Sequence, residues 1–166
     1  MKTLVLSDIH DHILNLQKVM DAVKGQIEAV ICCGDYCAPF SAGLLSNLNL
    51  PTYTCLGNND EDQIGLLKKG GPNFTWTNLS QEFGEIELSK RKIAFCHYPR
   101  LAELLAKSGE YDAVFYGHTH VTRNETIGNT LLLNPGSVCG IVGGKMSQAS
   151  YAIYNTKMNT AETINL

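Results

Sequence analysis

The sequence predicts an α/β layered domain with two sheets packed together and helices outside. Two observations carry this reading. In the first half, near-continuously apolar runs of strand length alternate with helical periodicities, the pattern of parallel β-α units covered on both faces. In the second half, short apolar or alternating runs follow one another, most of them separated by Gly or Asn turns.

Each element has its own signal. Residues 3–6 form an apolar run of strand length, and Leu14, Leu16, Val19, Met20 and Val23 recur at helical spacing until Gly25 closes the pattern. Residues 28–33 read as a second strand, 40–48 as a short helix ending at Asn49 before Pro51, and 52–56 as a third strand. Asp60 is the expected N-cap of the next helix, with Gln63 at the capping-box position. Residues 85–88 meet 93–95 in a hairpin across Ser89-Lys90-Arg91-Lys92. Pro99 suits the first turn of a helix running to about Ser108, with Gly109 after its end. Strands follow over 113–116, 121–127, 130–133, 151–154 and 162–164, with Gly128-Asn129 as a hairpin turn.

Bulk properties narrow the function. The 166 residues fit one domain over 1–166, with no internal repeat, linker or low-complexity stretch. A hydrophobic content of 44% supports a buried core without a membrane span, and 17% charged residues exclude a disordered, solvating chain. The net charge of −3 and the absence of a basic patch argue against bulk nucleic-acid binding. Six cysteines occur without Cys-x-x-Cys spacing, so a zinc ribbon or a thioredoxin-type centre has little support. Cys32, Cys33, Cys55 and Cys96 read as core packing. The run after Met1 is too short for a secretory leader, and the expected compartment is a reducing cytoplasm.

The chemistry is concentrated where strands end. Ser7-Asp8-Ile9-His10 follows the first strand, Gly34-Asp35 the second, and Gly57-Asn58-Asn59-Asp60 the third. His97 and then Gly117-His118-Thr119-His120 follow two strands of the second half. In an open α/β sheet the carboxyl ends of neighbouring strands form the ligand crevice, so five loops deliver seven oxygen or imidazole donors to one edge. Asp8 and His10 are two residues apart, as are His118 and His120, so in extended backbone each pair projects to one side. Glycines 34, 57 and 117 each precede a candidate ligand, allowing close approach and unusual φ. Imidazole with carboxylate and amide oxygen suits Mn²⁺, Fe²⁺, Zn²⁺ or Ni²⁺ better than Ca²⁺. Seven donors exceed one four-coordinate zinc and fall short of two closed cages. Sharing one carboxylate resolves this, giving two divalent ions roughly 3.5–4 Å apart with room for water and substrate. Asp35, alone in its loop, is the expected bridge.

The ordered set Asp8-x-His10, Gly34-Asp35, Gly57-Asn58-x-Asp60, His97 and Gly117-His118-Thr119-His120 resembles the calcineurin-like metallophosphoesterase superfamily. In size the chain is similar to the small YfcE-like phosphodiesterases. The resemblance runs over nearly the whole chain and implies a four-layer α-β-β-α sandwich with two mixed sheets packed face to face. It implies one metal, Mn²⁺ foremost, on Asp8, His10, Asp35 and His120, and a second on Asp35, Asn58, His97 and His118. It further implies a hydroxide held between the ions that attacks a phosphodiester in line, and a small-molecule phosphate ester as substrate. Asn134-Pro135-Gly136-Ser137 matches a family turn that positions the site.

Three positions depart from the family pattern. Asn59 stands where much of the superfamily has a His able to protonate the leaving group, so good leaving groups should be favoured. Catalytic expectations thus fall on Asp35, Asn58 and Asn59. Asp11 replaces a common Gly, and Tyr98-Pro99 follows His97 where Gly is usual. His12 reads as a solvated residue of the first helical turn, and Arg100 as a surface residue or a phosphate contact. Two competing functions share these residues: a phosphomonoesterase or nucleotide phosphatase, and a metal-binding protein-interaction scaffold like the retromer subunit of this fold. Self-association into a homo-oligomer stays open.

Overall fold

The computed structural model describes residues 1–77 and 81–166. The first half forms β1 (Lys2–Leu6), α1 (Ile13–Val23), β2 (Ala29–Cys32), α2 (Pro39–Ser46), β3 (Thr52–Thr54), α3 (Gln63–Gly70) and β4 (Phe74–Trp76). Strands β1 to β4 pair in parallel in that order. The starts of α1 and α3 are capped by side chains. His12 accepts from the Asn15 N–H through its Nδ1 at 3.3 Å, and Asp62 accepts from the Gly65 N–H at 2.9 Å. The N-cap expected at Asp60 is therefore two residues late, because the Asp60 carboxylate is committed to backbone elsewhere (below). Strand β4 was not expected. Its three residues follow Pro72-Asn73, and the exposed backbone edge of β3 recruits them.

The second half adds β5 (Phe83–Leu88), β6 (Arg91–Cys96), α4 (Pro99–Ser108), β7 (Ala113–Phe115), β8 (Arg123–Ile127) and β9 (Thr130–Asn134). It then completes the chain with β10 (Ile141–Val142), β11 (Lys145–Met146), β12 (Ser150–Asn155) and β13 (Thr160–Asn165). The β5–β6 turn is tighter than expected. Ser89 and Lys90 both have positive φ, 50° and 67°, the backbone of a two-residue mirror-image turn. Arg91 and Lys92 belong to β6, where Arg91 pairs with Asp112 at 2.7 Å and the Lys92 N–H donates to the same carboxylate at 2.9 Å. The small ribbon β10–β11, turning at Gly143-Gly144, was also unforeseen.

Two large mixed sheets result, ordered β13-β12-β1-β2-β3-β4 and β5-β6-β7-β9-β8. Alternation along the strands sorts the layers. Leu4, Leu6, Val30 and Cys32 pack with Leu16, Val19, Met20, Leu45 and Leu66 of the helices on one outer face. Val5, Ile31 and Cys33 point the other way and meet Ile93, Phe95, Ala113, Phe115 and Leu133 of the second sheet. Ala94, Cys96, Val114 and Leu132 then face Ala102 and Ala106 of α4. This is the four-layer α-β-β-α sandwich. Each fully buried Leu or Ile contributes about 1.5–3 kcal/mol by leaving water, and such side chains fill all three interfaces. The four cysteines assigned to packing are buried as expected. The strand exits of both sheets meet at one end, which places the site.

Candidate metal centre

All seven candidate donors converge at that end. The imidazole Nε2 of His120 lies 3.3 Å from Asp8 Oδ1, and His10 Nε2 lies 3.9 Å from the same oxygen. His10 Nε2 is also 3.3 Å from Asp35 Oδ2, and His97 Nε2 is 3.5 Å from that oxygen. Asn58 Oδ1 then sits 3.0 Å from His97 Nε2 and 2.8 Å from His118 Nδ1. Two groups of contacts result, Asp8-His10-Asp35-His120 and Asp35-Asn58-His97-His118, with Asp35 common to both.

The backbone that achieves this is not extended. Asp8, His10, Asp35, His118 and His120 all have positive φ, between 43° and 68°. The pairs Asp8/His10 and His118/His120 therefore converge through left-handed turns rather than through strand alternation. The expectation of extended backbone is corrected here. Non-glycine residues in this region cost about 1–3 kcal/mol each and persist where surrounding bonds over-determine them. Those bonds run between loops. The His118 N–H donates to Asp8 at 3.0 and 3.2 Å, the Asp8 N–H donates to the Gly34 carbonyl, and the Ile9 N–H donates to the Asp35 carbonyl. Asp11, also left-handed, accepts from the Ala38 N–H and the Ser41 hydroxyl, tying the first loop to the start of α2.

All three site glycines are required for space, and a side chain at Gly34 would meet the Gly57 backbone. A side chain at Gly57 would overlap the Asp35 carboxylate, and one at Gly117 would overlap the Ser7 hydroxyl and crowd Asp8.

Ring nitrogens are assigned by their outer partners. His97 Nδ1–H donates to the Cys33 carbonyl at 2.8 Å, and His120 Nδ1–H donates to the Ile141 carbonyl. Those bonds turn both Nε2 atoms inwards, the orientation that metal-bound histidines adopt. His97 Nε2 and Asn58 Oδ1 lie 3.0 Å apart and face the same space. The buried Nε2 of His10 has no hydrogen-bond partner among the described residues. The donor set fits divalent metal ions.

Electrostatics agree. Burial acts to raise the Asp8 carboxyl, but the imidazoles of His10 and His120 outweigh it and hold it well below the usual carboxylate range. Asp35 is lowered in the same way, burial being outweighed chiefly by His10 and His97. Contact with Asp35 and Asp8 raises His10 to about 10, and contact with Asp8 raises His120 to about 10. The pocket attracts positive charge, whether proton or metal.

Other expected residues take supporting places. Asn59 donates from its backbone to Asp35 Oδ1 and from its amide to Asp35 Oδ2. Asn134 donates to the Gly117 carbonyl at 2.9 Å and to the Thr119 hydroxyl, so the Asn-Pro-Gly-Ser turn braces the last loop. His12 serves as the α1 cap already described. Two features escaped the sequence reading. Asp60, only 3% exposed, accepts from the N–H groups of Asp35, Cys37 and Gly57 and so clamps the loops after β2 and β3 together. Cys139 joins His10 and His120 in a cluster whose ligand atoms lie within 4.8 Å of one another, and Cys37 Sγ lies 3.4 Å from His10 Nδ1. Asp60 had an acidic helix-start signature that concealed its role, and neither cysteine carried a local signal.

Comparison with known proteins agrees with the geometry. A family model described as a calcineurin-like phosphoesterase superfamily domain matches residues 1–159. A phosphodiesterase of Methanocaldococcus jannaschii is 35% identical over 147 residues, covering 87% of this chain and 88% of that protein. The solved structure of an archaeal phosphodiesterase matches with a TM-score of 0.88 at 31% identity and covers 100% of both chains. YfcE, a phosphoesterase from E. coli, matches with a TM-score of 0.70 over 99% of this chain and 98% of its own, and at 19% identity that likeness speaks for the fold alone. The chain belongs to the calcineurin-like phosphoesterase superfamily. It is a metal-dependent phosphoric ester hydrolase, similar to the small YfcE-like enzymes.

Proposed function

We propose that the protein hydrolyses phosphodiesters of small molecules at a dinuclear centre, loaded with Mn²⁺ in preference to Ni²⁺, Fe²⁺ or Zn²⁺. The observation that carries this is Asp35 Oδ2, which lies 3.3 Å from His10 Nε2 and 3.5 Å from His97 Nε2 and so faces both groups of donors. Asp8, His10, Asp35 and His120 would hold one ion, and Asp35, Asn58, His97 and His118 the other. The pair of ions, when bound, would supply an ionised water as nucleophile and neutralise charge growing on the phosphoryl oxygens.

The chain's own residues do the rest. The carbonyls of Cys33 and Ile141 fix the tautomers of His97 and His120, so the inward nitrogens stay deprotonated when the centre is loaded. Asn59 holds the shared carboxylate in place and, being an amide, protonates no leaving group. Rates should therefore fall as leaving-group pKa rises. The phosphodiesterase from Methanocaldococcus jannaschii supports the diester reading, and the net charge of −3 favours small substrates over wrapped polyanions. Among the described residues no helix is long and apolar enough to cross a membrane, and the free cysteines suit the cytoplasmic setting we propose. We take residues 1–166 as one domain.

Turnover of matched aryl mono- and diesters by the Mn²⁺-loaded protein tests this, alongside elemental analysis before and after chelation. Faster turnover of the diester with two ions per chain is the expected result. Preference for the monoester would favour a phosphomonoesterase, and full activity after chelation would overturn the metal reading.

A further inference from the structure

Two donor groups overlap at His10. Asp8, His10 and Asp35 present two carboxylates and an imidazole, whereas His10, His120 and Cys139 present two imidazoles and a thiol. Within each group, one ligand atom per residue lies within 4.8 Å of the others. The first group belongs to the centre already described. The second brings a sulfur that the proposed reaction does not use.

The thiol is held in place through its backbone. The Cys139 N–H donates to the Asp8 carbonyl at 3.1 Å, and the Val138 N–H donates to the Ser7 carbonyl at 3.1 Å. Cys139 Sγ comes to 3.7 Å from His120 Nδ1, and the His10 and His120 ring centroids are 5.0 Å apart. An ion with zinc-like bonds of about 2.0–2.3 Å spaces tetrahedral ligand atoms roughly 3.3–3.8 Å apart. The three donors therefore need to close by at most about 1.5 Å. Cys139 is buried yet forms part of the wall of a cleft of ≈ 440 Å³. The polar residues His12, Asn15, Lys18, Ser147 and Gln148 also line that cleft and keep it wet. Lys18 is exposed, so solvent screens its charge. The other thiols are placed differently. Cys32, Cys33, Cys55 and Cys96 lie in the core, and Cys37 Sγ touches His10 Nδ1 at 3.4 Å.

We infer that His10, His120 and Cys139 form a second cation position, selective for thiophilic divalent ions, whose occupation switches the enzyme off. Carboxylates suit Mn²⁺, whereas a thiolate selects softer ions such as Zn²⁺ or Cd²⁺. On binding, the Cys139 S–H proton leaves to water and the sulfur bonds to the ion, with no change of oxidation state. An ion held there takes both imidazoles from the position on Asp8 and Asp35, so the two occupations exclude one another. The site stands on its own donors, and its inhibitory effect rests on the dinuclear reading above.

Cd²⁺ titrated into the whole chain after metal stripping tests this by ultraviolet absorption. A thiolate-to-cadmium charge-transfer band should grow to saturation. Cys139→Ser should abolish that band and Cys37→Ser should keep it. X-ray absorption of the Cd²⁺-loaded wild type should show sulfur among the nearest neighbours of the ion, a readout that needs no variant. With Mn²⁺ present, Cd²⁺ should inhibit hydrolysis of an aryl phosphodiester. Relative to its own rate without Cd²⁺, Cys139→Ser should need at least about 10-fold more Cd²⁺ for the same inhibition. Cadmium with only nitrogen and oxygen neighbours, or a band that persists in Cys139→Ser, would overturn the site. A Cys139-dependent band without inhibition would overturn the switch. The same band in a protein without Mn²⁺-dependent activity would support the site and sink the dinuclear reading instead.

Discussion

Asn59 grips Asp35 twice, its backbone N–H donating to Oδ1 at 2.9 Å and its side-chain amide to Oδ2 at 2.8 Å. The residue that replaces a common family acid thus orients the carboxylate shared by both groups of donors. Asn59→Ala should keep the fold, since its side chain is exposed, yet weaken metal affinity or activity by about 10- to 100-fold, as loss of an outer ligand partner does elsewhere. Titration with Mn²⁺ checks this. An unchanged affinity and rate would show that Asp35 needs no such support.

Asp35→Asn should have a sharper effect. The amide keeps the shape but loses the charge that faces His10 and His97. Elemental analysis should show loss of paired occupancy, with activity abolished. Retained activity would count heavily against a bridging carboxylate.

Gly57→Ala should damage the site by sterics alone, because the new methyl would meet the Asp35 carboxylate and backbone. Overpacking of this kind costs about 1–3 kcal/mol. Thermal melting together with metal content would reveal it, and a variant with normal stability and normal Mn²⁺ uptake would refute the close approach.

Asp60→Ala should be more harmful than loss of a helix cap. Three N–H groups, from Asp35, Cys37 and Gly57, would lose their acceptor. Each buried unsatisfied group costs about 1–3 kcal/mol, so urea denaturation should show a loss well above the cap value of about 1 kcal/mol. His12→Ala is the contrast, costing at most about 1 kcal/mol and sparing activity.

The pH response should reverse with metal. His10 and His120 are raised from 6.5 to about 10 by Asp35 and Asp8. In the metal-free protein their stabilisation is complete below pH 6.5 and lost as pH rises through about 10, because the protonated rings are the ones the carboxylates favour. Metal must displace those protons, so Mn²⁺ affinity should increase over the same range. Melting curves in chelator and in Mn²⁺ between pH 6.5 and 10 would show opposite slopes. Parallel slopes would argue that these rings do not hold the ions.

The sequence by itself determined the order of elements from β1 to α3, the layered class and the gathering of Asp8, His10, Asp35, Asn58, His97, His118 and His120. It could do so because apolar periodicity is local, and because an open α/β sheet collects its strand exits at one edge. Only the tertiary structure decided the rest. Asp60 leaves its expected cap to clamp two loops, Cys139 comes up behind His120, and β4 forms because β3 offers it an edge. The left-handed backbone at five of the seven donors, Asp8, His10, Asp35, His118 and His120, likewise follows from hydrogen bonds between loops far apart in the chain. These features depend on long-range partners whose positions no local pattern encodes.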